Sequence, residues 1–160
     1  MIRLEFLKNV EIFQGLNNEQ LAEIIKCSEE EEFQHETRLF EKGENAAYIW
    51  ILKEGRVELR FDFPGLASSE QNTISSVPEA GAFGWSSIVP PNKYRLSGYS
   101  TGGGCKLIKV EKESLLKLFE KDPDIGYMVM SKLATLVGAR FHRLQEEAAS
   151  RRGQDIMGGW

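Results

Sequence analysis

The chain has 160 residues, room for one domain at roughly 100–200 residues each, so a sensor and a separate effector do not fit together in it. Charged residues are 28% and hydrophobic residues 41%, which excludes a disordered, collagenous or disulfide-dense chain and predicts one sizeable core. A formal net charge of −4 argues against a non-specific nucleic-acid binder, whose affinity rests on clustered positive charge, but leaves room for a local anion site.

Residues 3–27 carry helical spacing. Leu4, Leu7, Val10, Phe13 and Leu16 recur every third position, and Leu21, Ile24 and Ile25 resume the pattern after a break near Gly15. Asn17 followed by Gln20 reads as a helix start, in which a side-chain oxygen caps free N–H groups. The run Glu29–Glu32 has no spaced ligand set for a metal and is expected to be a solvated acidic edge. From Phe33 the pattern turns to short β segments: Phe33–Gln34, Arg38–Phe40, Tyr48–Lys53, Arg56–Phe63, Thr73–Val77, Leu96–Tyr99 and Lys106–Val110. Their spacing of roughly ten residues is the rhythm of a sandwich or jelly-roll barrel. Gly43 and Gly55 sit in predicted tight turns, and residues 64–72 form a predicted exposed hairpin loop.

Residues 111–119 return to helical composition, and Pro123 between Asp122 and Asp124 starts the longest predicted helix. Ile125, Met128, Val129, Leu133, Leu136, Val137, Phe141 and Leu144 read as one apolar stripe along it. The stripe fades after Gln145, so 149–160 is expected to be a flexible tail. The expected layout is mainly β with flanking helices: N-terminal helices over 1–32, a jelly-roll-like β-roll over 33–110, C-terminal helices over 111–148, then the tail.

Cys27 and Cys105 lie far apart with no CxxC motif, which reads as two small core side chains in a reducing compartment. No apolar run approaches the ~20 residues of a membrane-spanning helix, and the start lacks a secretory signal, so no membrane association is expected and the localisation is read as cytoplasmic. His35 and His142 stand in unrelated segments, and no catalytic set or cofactor is indicated.

The most specific stretch runs from Gly81 to Tyr99. Two glycines, a short segment able to make one helical turn, a loop stiffened by Pro90 and Pro91, and a strand bearing Arg95 and Ser97 would bring N–H groups near a guanidinium and hydroxyls. By spacing alone that signal is weak, since glycine turns near an arginine are common in β proteins.

The segments Leu7–Leu16, Phe33–Glu44 and Tyr48–Val57 add to it, because their order and spacing resemble the cyclic nucleotide-binding domain, the sensor module of catabolite-activator-type regulators. The resemblance covers the chain to about residue 145 and implies a β-roll between an N-terminal helical element and a long C-terminal helix. In that family the phosphate-binding cassette reads Phe-Gly-Glu and later Arg-Ser/Thr-Ala. Its glutamate takes the ribose hydroxyl and its arginine the cyclic phosphate. Here Phe83 and Gly84 are kept, but Trp85 stands at the glutamate position. An indole donates one hydrogen bond and accepts none, so it cannot receive a ribose hydroxyl. Trp85 is then either a core aromatic filling the pocket or a stacking platform for a planar ring.

The arginine position has two registers. Without a gap Arg95 takes it; with a one-residue shift Leu96 does, and Ser97-Gly98 fills the following pair. On a strand the two would face opposite sides.

The resemblance therefore implies a stand-alone, non-enzymatic sensor module with altered specificity or reduced cyclic nucleotide binding, its candidate site being Phe83, Gly84, Trp85, Ser86, Ser87, Arg95, Leu96 and Ser97. Expected ligands are cAMP, cGMP or another small anionic nucleotide. The expected partner is a second copy through the C-terminal helix; the effector is unknown, and no helix pair remains after Gln145 to enter DNA. The alternative is a structural or protein-interaction module that kept the fold and lost the ligand.

Overall fold

A computed structural model describes residues 1–158. The N-terminal helices are α1 (Leu4–Leu7), a 3₁₀ turn (Glu11–Phe13) and α2 (Asn18–Lys26). The predicted start of α2 is a full capping box: Asn17 Oδ1 accepts from the Gln20 backbone N–H at 2.9 Å, and the Asn17 N–H donates to Gln20 Oε1 at 3.0 Å. The β-roll follows as β1 (Ser28–Phe33), β2 (Arg38–Phe40), β3 (Tyr48–Arg60), β4 (Thr73–Ser76), β5 (Ala82–Phe83) and β6 (Ser97–Glu111), with a 3₁₀ turn at Trp85–Ser87 between the last two. All the pairings are antiparallel, in the order β1-β6-β3-β4, with β2 on β6 and β5 on β3. Helices α3 (Lys112–Lys121) and α4 (Pro123–Gly158) close the chain. This is the expected mainly β roll with flanking helices.

Three local expectations change. The four predicted segments on either side of Gly55 and of Gly102–Gly104 are two continuous strands, β3 and β6, which pair from Tyr48↔Glu111 to Arg60↔Ser97 with register shifts at Leu52/Glu54 and Gly55/Arg56. Gly55 at φ 93° pairs with Cys105, next to Gly104 at φ 97°, and a Cβ on Gly55 would lie 2.7 Å from Cys105 Cα. The two strands bend together there as a bulge, where the sequence reads as a turn.

The acidic run is the second change, in secondary structure rather than in solvation: Glu29, Glu31 and Glu32 are exposed as expected. The run lies in strand β1 at the sheet edge, its four glutamates paired with Lys106–Lys109 of β6. Acidic residues are poor strand formers, but lysines on β6 and β3 pair with three of the four: Lys53 Nζ meets Glu30 at 2.8 Å, and Lys109 Nζ meets Glu29 at 2.7 Å and Glu31 at 2.6 Å.

The third change is at the end of the chain. Helix α4 runs on to Gly158, across the segment that reads as tail; Gly159 and Trp160 lie outside the described residues. Its single predicted stripe divides in two. Ile125 and Val129 are buried against α3 and the N-terminal helices and Leu133 is buried as well, whereas Phe141 and Leu144 are 62% and 52% exposed.

The sheet separates two apolar clusters. Ile49, Ile51, Ile108 and Val110 face the helices; Trp50, Leu52 and Leu107 face the interior of the roll. Burial on both faces explains why 49–52 reads as an unbroken apolar run rather than an alternating one.

Candidate functional site

The site is built on the β5 turn. Phe83 pairs with Trp50 on β3 and is fully buried in the roll interior, its ring stacked near those of Trp50 and Phe40. The chain then reverses at Gly84, whose φ of 69° is left-handed, and enters the Trp85–Ser87 turn. A Cβ at Gly84 would lie 2.7 Å from Trp50 Cδ1, so the backbone is pressed against the sheet and only glycine fits.

The loop after this turn is tied back at two points. Asn92 Nδ2 donates to the Ser87 carbonyl at 2.8 Å. Tyr94 is stacked on Phe40 at 3.9 Å between ring centroids; its hydroxyl accepts from Trp50 Nε1 at 3.1 Å and donates to the Tyr48 carbonyl at 3.1 Å. Burial raises the Tyr94 phenol above its ordinary value, so it stays a neutral hydrogen-bonding group. This anchor sets down the next two residues, Arg95 and Leu96, beside the Gly84–Ser86 turn.

They enclose a small cavity of about 60 Å³ lined by Gly84, Trp85 and Ser86 from the turn, Tyr94, Arg95 and Leu96 from the loop, Phe40 and Leu59 from the sheet, and Arg140 from α4. Of the candidate residues, the cavity thus gathers Gly84, Trp85, Ser86, Arg95 and Leu96. Phe83 lies beneath it in the core. Ser87 is fully buried, its hydroxyl without a protein partner. Ser97, the first residue of β6, is also buried and accepts from the Lys42 N–H at 2.9 Å, away from the cavity.

Both registers of the arginine position meet at this cavity. Arg95 and Leu96 precede β6, so strand alternation does not send them to opposite faces, and both line it.

Sequence reading gives Arg140 a place beside a helix contact, with Gly138 and Arg143, and none in the site. It lies on α4, 45 positions beyond Arg95 in the chain, and only the packing of the helix across the roll brings it here. Burial, with Arg143 close by, pulls its guanidinium below the ordinary arginine value. Among the described residues no carboxylate stands within 4.0 Å of either Arg95 or Arg140. Arg60, by contrast, is 1% exposed and fully compensated by Glu58 at 3.0 Å and Glu36 at 3.2 Å, with its guanidinium 4.5 Å from the Tyr99 ring. Among the described residues no cluster of His, Cys, Asp and Glu is placed to hold a metal.

No family model and no curated protein matches the sequence. Solved structures do. A protein from Geobacter metallireducens GS-15, described as cyclic nucleotide-binding, is 30% identical, superposes with a TM-score of 0.75, and aligns over 89% of this chain and 100% of its own. The chain belongs to the cyclic nucleotide-binding domain family.

Further structures share the fold at lower identity. A cyclic nucleotide-binding domain from Methylobacillus flagellatus KT has a TM-score of 0.75 at 19% identity, over 92% of this chain and 81% of that one. The Thermus thermophilus catabolite activator protein has a TM-score of 0.71 at 19% identity, over 87% of this chain and 62% of its own length. Within the cyclic nucleotide-binding fold, the cavity lies where the sequence resemblance puts the phosphate-binding cassette, and Trp85 is on its wall. No described helix is long and apolar enough to cross a membrane.

Proposed function

We propose that this cyclic nucleotide-binding-type chain is a non-enzymatic sensor module, that the cavity between the Gly84–Ser86 turn, Arg95 and α4 is its ligand site, and that its specificity departs from cAMP and cGMP. The observation that carries this reading is the lining. It holds two arginines without carboxylate partners and apolar walls, with Trp85 where the resemblance calls for a ribose-binding glutamate. An anion is favoured by such a lining. A sugar hydroxyl loses its acceptor, since an indole offers none. At about 60 Å³ the cavity is also far smaller than the ~300–1,000 Å³ of ordinary ligand pockets, which supports reduced binding of a whole nucleotide.

Occupancy would leave the site through α4, and we propose that this helix pairs with that of a second copy. Tyr127, Met130, Ala134, Val137, Phe141, Leu144 and Ala148 follow one another at alternating steps of three and four, the a/d repeat of a coiled coil. Of these, Tyr127 is 74% and Phe141 62% exposed, and none belongs to the buried core. The unpaired thiols of Cys27 and Cys105, each raised by burial, support a reducing, cytoplasmic setting.

Calorimetry with cAMP and cGMP tests the ligand reading. Binding is expected to be weak for both, and Arg95→Ala is expected to weaken it a further tenfold or more, about 1.4 kcal/mol. Tight binding of either nucleotide that survives Arg95→Ala would overturn the reading. Heat from neither these nucleotides nor inorganic phosphate would favour a module that keeps the fold without a ligand.

A further inference from the structure

A second cavity, about 500 Å³, opens between the loop that follows β3 and the turn between β2 and β3. Its size is in the ordinary range of ~300–1,000 Å³ for small-molecule sites, and it shares no lining residue with the cavity at the Gly84–Ser86 turn. Asp62, Ser68, Ser97 and Tyr99 line it together. Tyr99 donates to Asp62 Oδ2 at 2.6 Å, whereas Oδ1 is buried and has no partner among the described residues. Burial works against ionisation of Asp62, but the Tyr99 bond, the facing hydroxyls of Ser68 and Ser97 and the charge of Arg60 outweigh it and hold the carboxyl below its ordinary value. Tyr99 is pushed the other way, by burial and by that carboxylate, and stays a neutral donor. The two serines are half-used. Ser97 Oγ accepts from the Lys42 N–H at 2.9 Å and Ser68 Oγ from Arg60 Nη1 at 3.4 Å, which leaves each hydroxyl hydrogen without an acceptor among the described residues. One carboxylate oxygen thus lacks a donor while two hydroxyls that face the carboxylate lack an acceptor, and no hydrogen bond joins them directly.

The missing partner has to give a hydrogen bond and take one. An ammonium group only gives and a carboxylate only takes, whereas a hydroxyl does both. The charge of the lining agrees: Arg38 and Lys42 stand against Glu41 and Asp62, two of each sign, so it favours no ion. The apolar share of the wall comes from the loop, where Phe63 is 51% and Leu66 69% exposed and the Phe63 ring is held edge-on to Phe61 at 5.3 Å between centroids. A single water meets the polar requirement and leaves these two side chains bare. An exposed aromatic ring beside a carboxylate and hydroxyls suits a molecule with hydroxyls on its edge and C–H groups on its face. We infer that this cavity is a second ligand site and that it takes a neutral saccharide, one hydroxyl held by Asp62 and the serines and the C–H face of the sugar ring against Phe63. The site is independent of the sensor reading, since the two cavities have no residue in common.

The test titrates D-glucose, D-galactose, D-mannose, maltose and sucrose into the isotope-labelled full chain and follows its backbone amide signals, with glycine and inorganic phosphate as ionic probes. At least one of the sugars is expected to shift the signals of the Asp62–Ser68 loop, Ser97 and Tyr99 to saturation and to leave those of the Gly84–Ser86 turn in place. Asp62→Asn, which keeps the shape and loses the charge, should weaken that binding about tenfold, since charge-assisted hydrogen bonds are roughly twice as strong as neutral ones. Phe63→Ala should weaken it severalfold. The Phe63 side chain is half-exposed and belongs to neither apolar cluster, so this variant keeps the fold and decides the matter where Asp62→Asn disturbs Tyr99. Shifts that grow in proportion to the sugar without saturating, or no shifts at all, mean that water alone fills the cavity and overturn the proposal. Saturable binding of glycine or phosphate, with none of any sugar, overturns the ligand class. Saturable sugar binding that survives both variants overturns the site. Binding of cAMP and cGMP is measured separately, so loss of the saccharide site leaves the sensor reading untouched.

Discussion

Gly84 and Trp85 are adjacent residues with opposite lessons. Gly84 is fixed by its backbone: at φ 69°, and with Trp50 Cδ1 2.7 Å from where a Cβ would sit, it has no substitute. Gly84→Ala is expected to cost about 2 kcal/mol or more, from the left-handed conformation and from displacement of the Trp50–Tyr94 pair behind it. Urea denaturation would read that loss, and a variant as stable as wild type would show that the turn can be repacked. Trp85 is fixed by nothing comparable. It lines the cavity, half-buried, and its place in the sequence was enough to raise the question of a lost sugar contact. Arg140 shows the reverse case, because no local pattern ties it to the turn and only the packing of α4 brings it to the same cavity.

Among the elements, α4 has the most to explain. Its N-terminal part is a core helix, with Ile125, Val129 and Leu133 buried, while the a/d repeat from Tyr127 to Ala148 lies on another face. These two apolar sets overlap in sequence, and at 3.6 residues per turn they merge into what reads as one stripe. Replacing Phe141 and Leu144 together by Glu should leave the roll folded, since neither is in the core, and should abolish pairing of copies. Light scattering would then give the mass of one chain, against two for the wild type. A wild type that stays monomeric at high concentration would remove the seam as an interface. Helix pairing and the anion site are separate claims, and the Glu pair distinguishes them because neither position lines the cavity.

The whole molecule is held as two apolar clusters on either side of one sheet, and its acidic edge is stitched on by lysines. Glu30 is the inner stitch. Its hydrogen bond from Lys53 holds the carboxyl below its ordinary value near 4.5, against a smaller opposing effect of burial. A carboxyl lowered in the folded state contributes stability that is fully present above the ordinary value and is lost as pH falls through the lowered one. Glu30→Gln should therefore cost about 1 kcal/mol at pH 7, and the difference from wild type should close as the pH drops below about 4. Urea midpoints across that range would show it; a gap that widened in acid would mean that Glu30 is not held by Lys53 in the folded chain.

Much of the fold could be read from residue order, because the signals are local. The Asn17–Gln20 box, Pro123 at a helix start, the glycine turn at Gly43 and the apolar run at 49–52 each act over a few residues, and each is where it was expected. The family, too, was legible in the spacing of three short segments. Local signals failed where long-range pairing decides. Gly55 reads as a turn until β6 lies beside it, and the glutamate run, exposed as expected at Glu29, Glu31 and Glu32, shows itself as a strand only once β6 pairs with it. The candidate site divides the same way. The sequence by itself determined the Gly84–Ser86 turn, the tryptophan at the position where the resemblance expects a glutamate, and the presence of Arg95, since all lie in one stretch of chain. Only the tertiary structure decided that Arg95 and Leu96 share one cavity, that Phe83, Ser87 and Ser97 stand outside it, and that Arg140 completes it. A side chain's partners across 45 residues are set by how a helix packs on a sheet, and no local spacing encodes that.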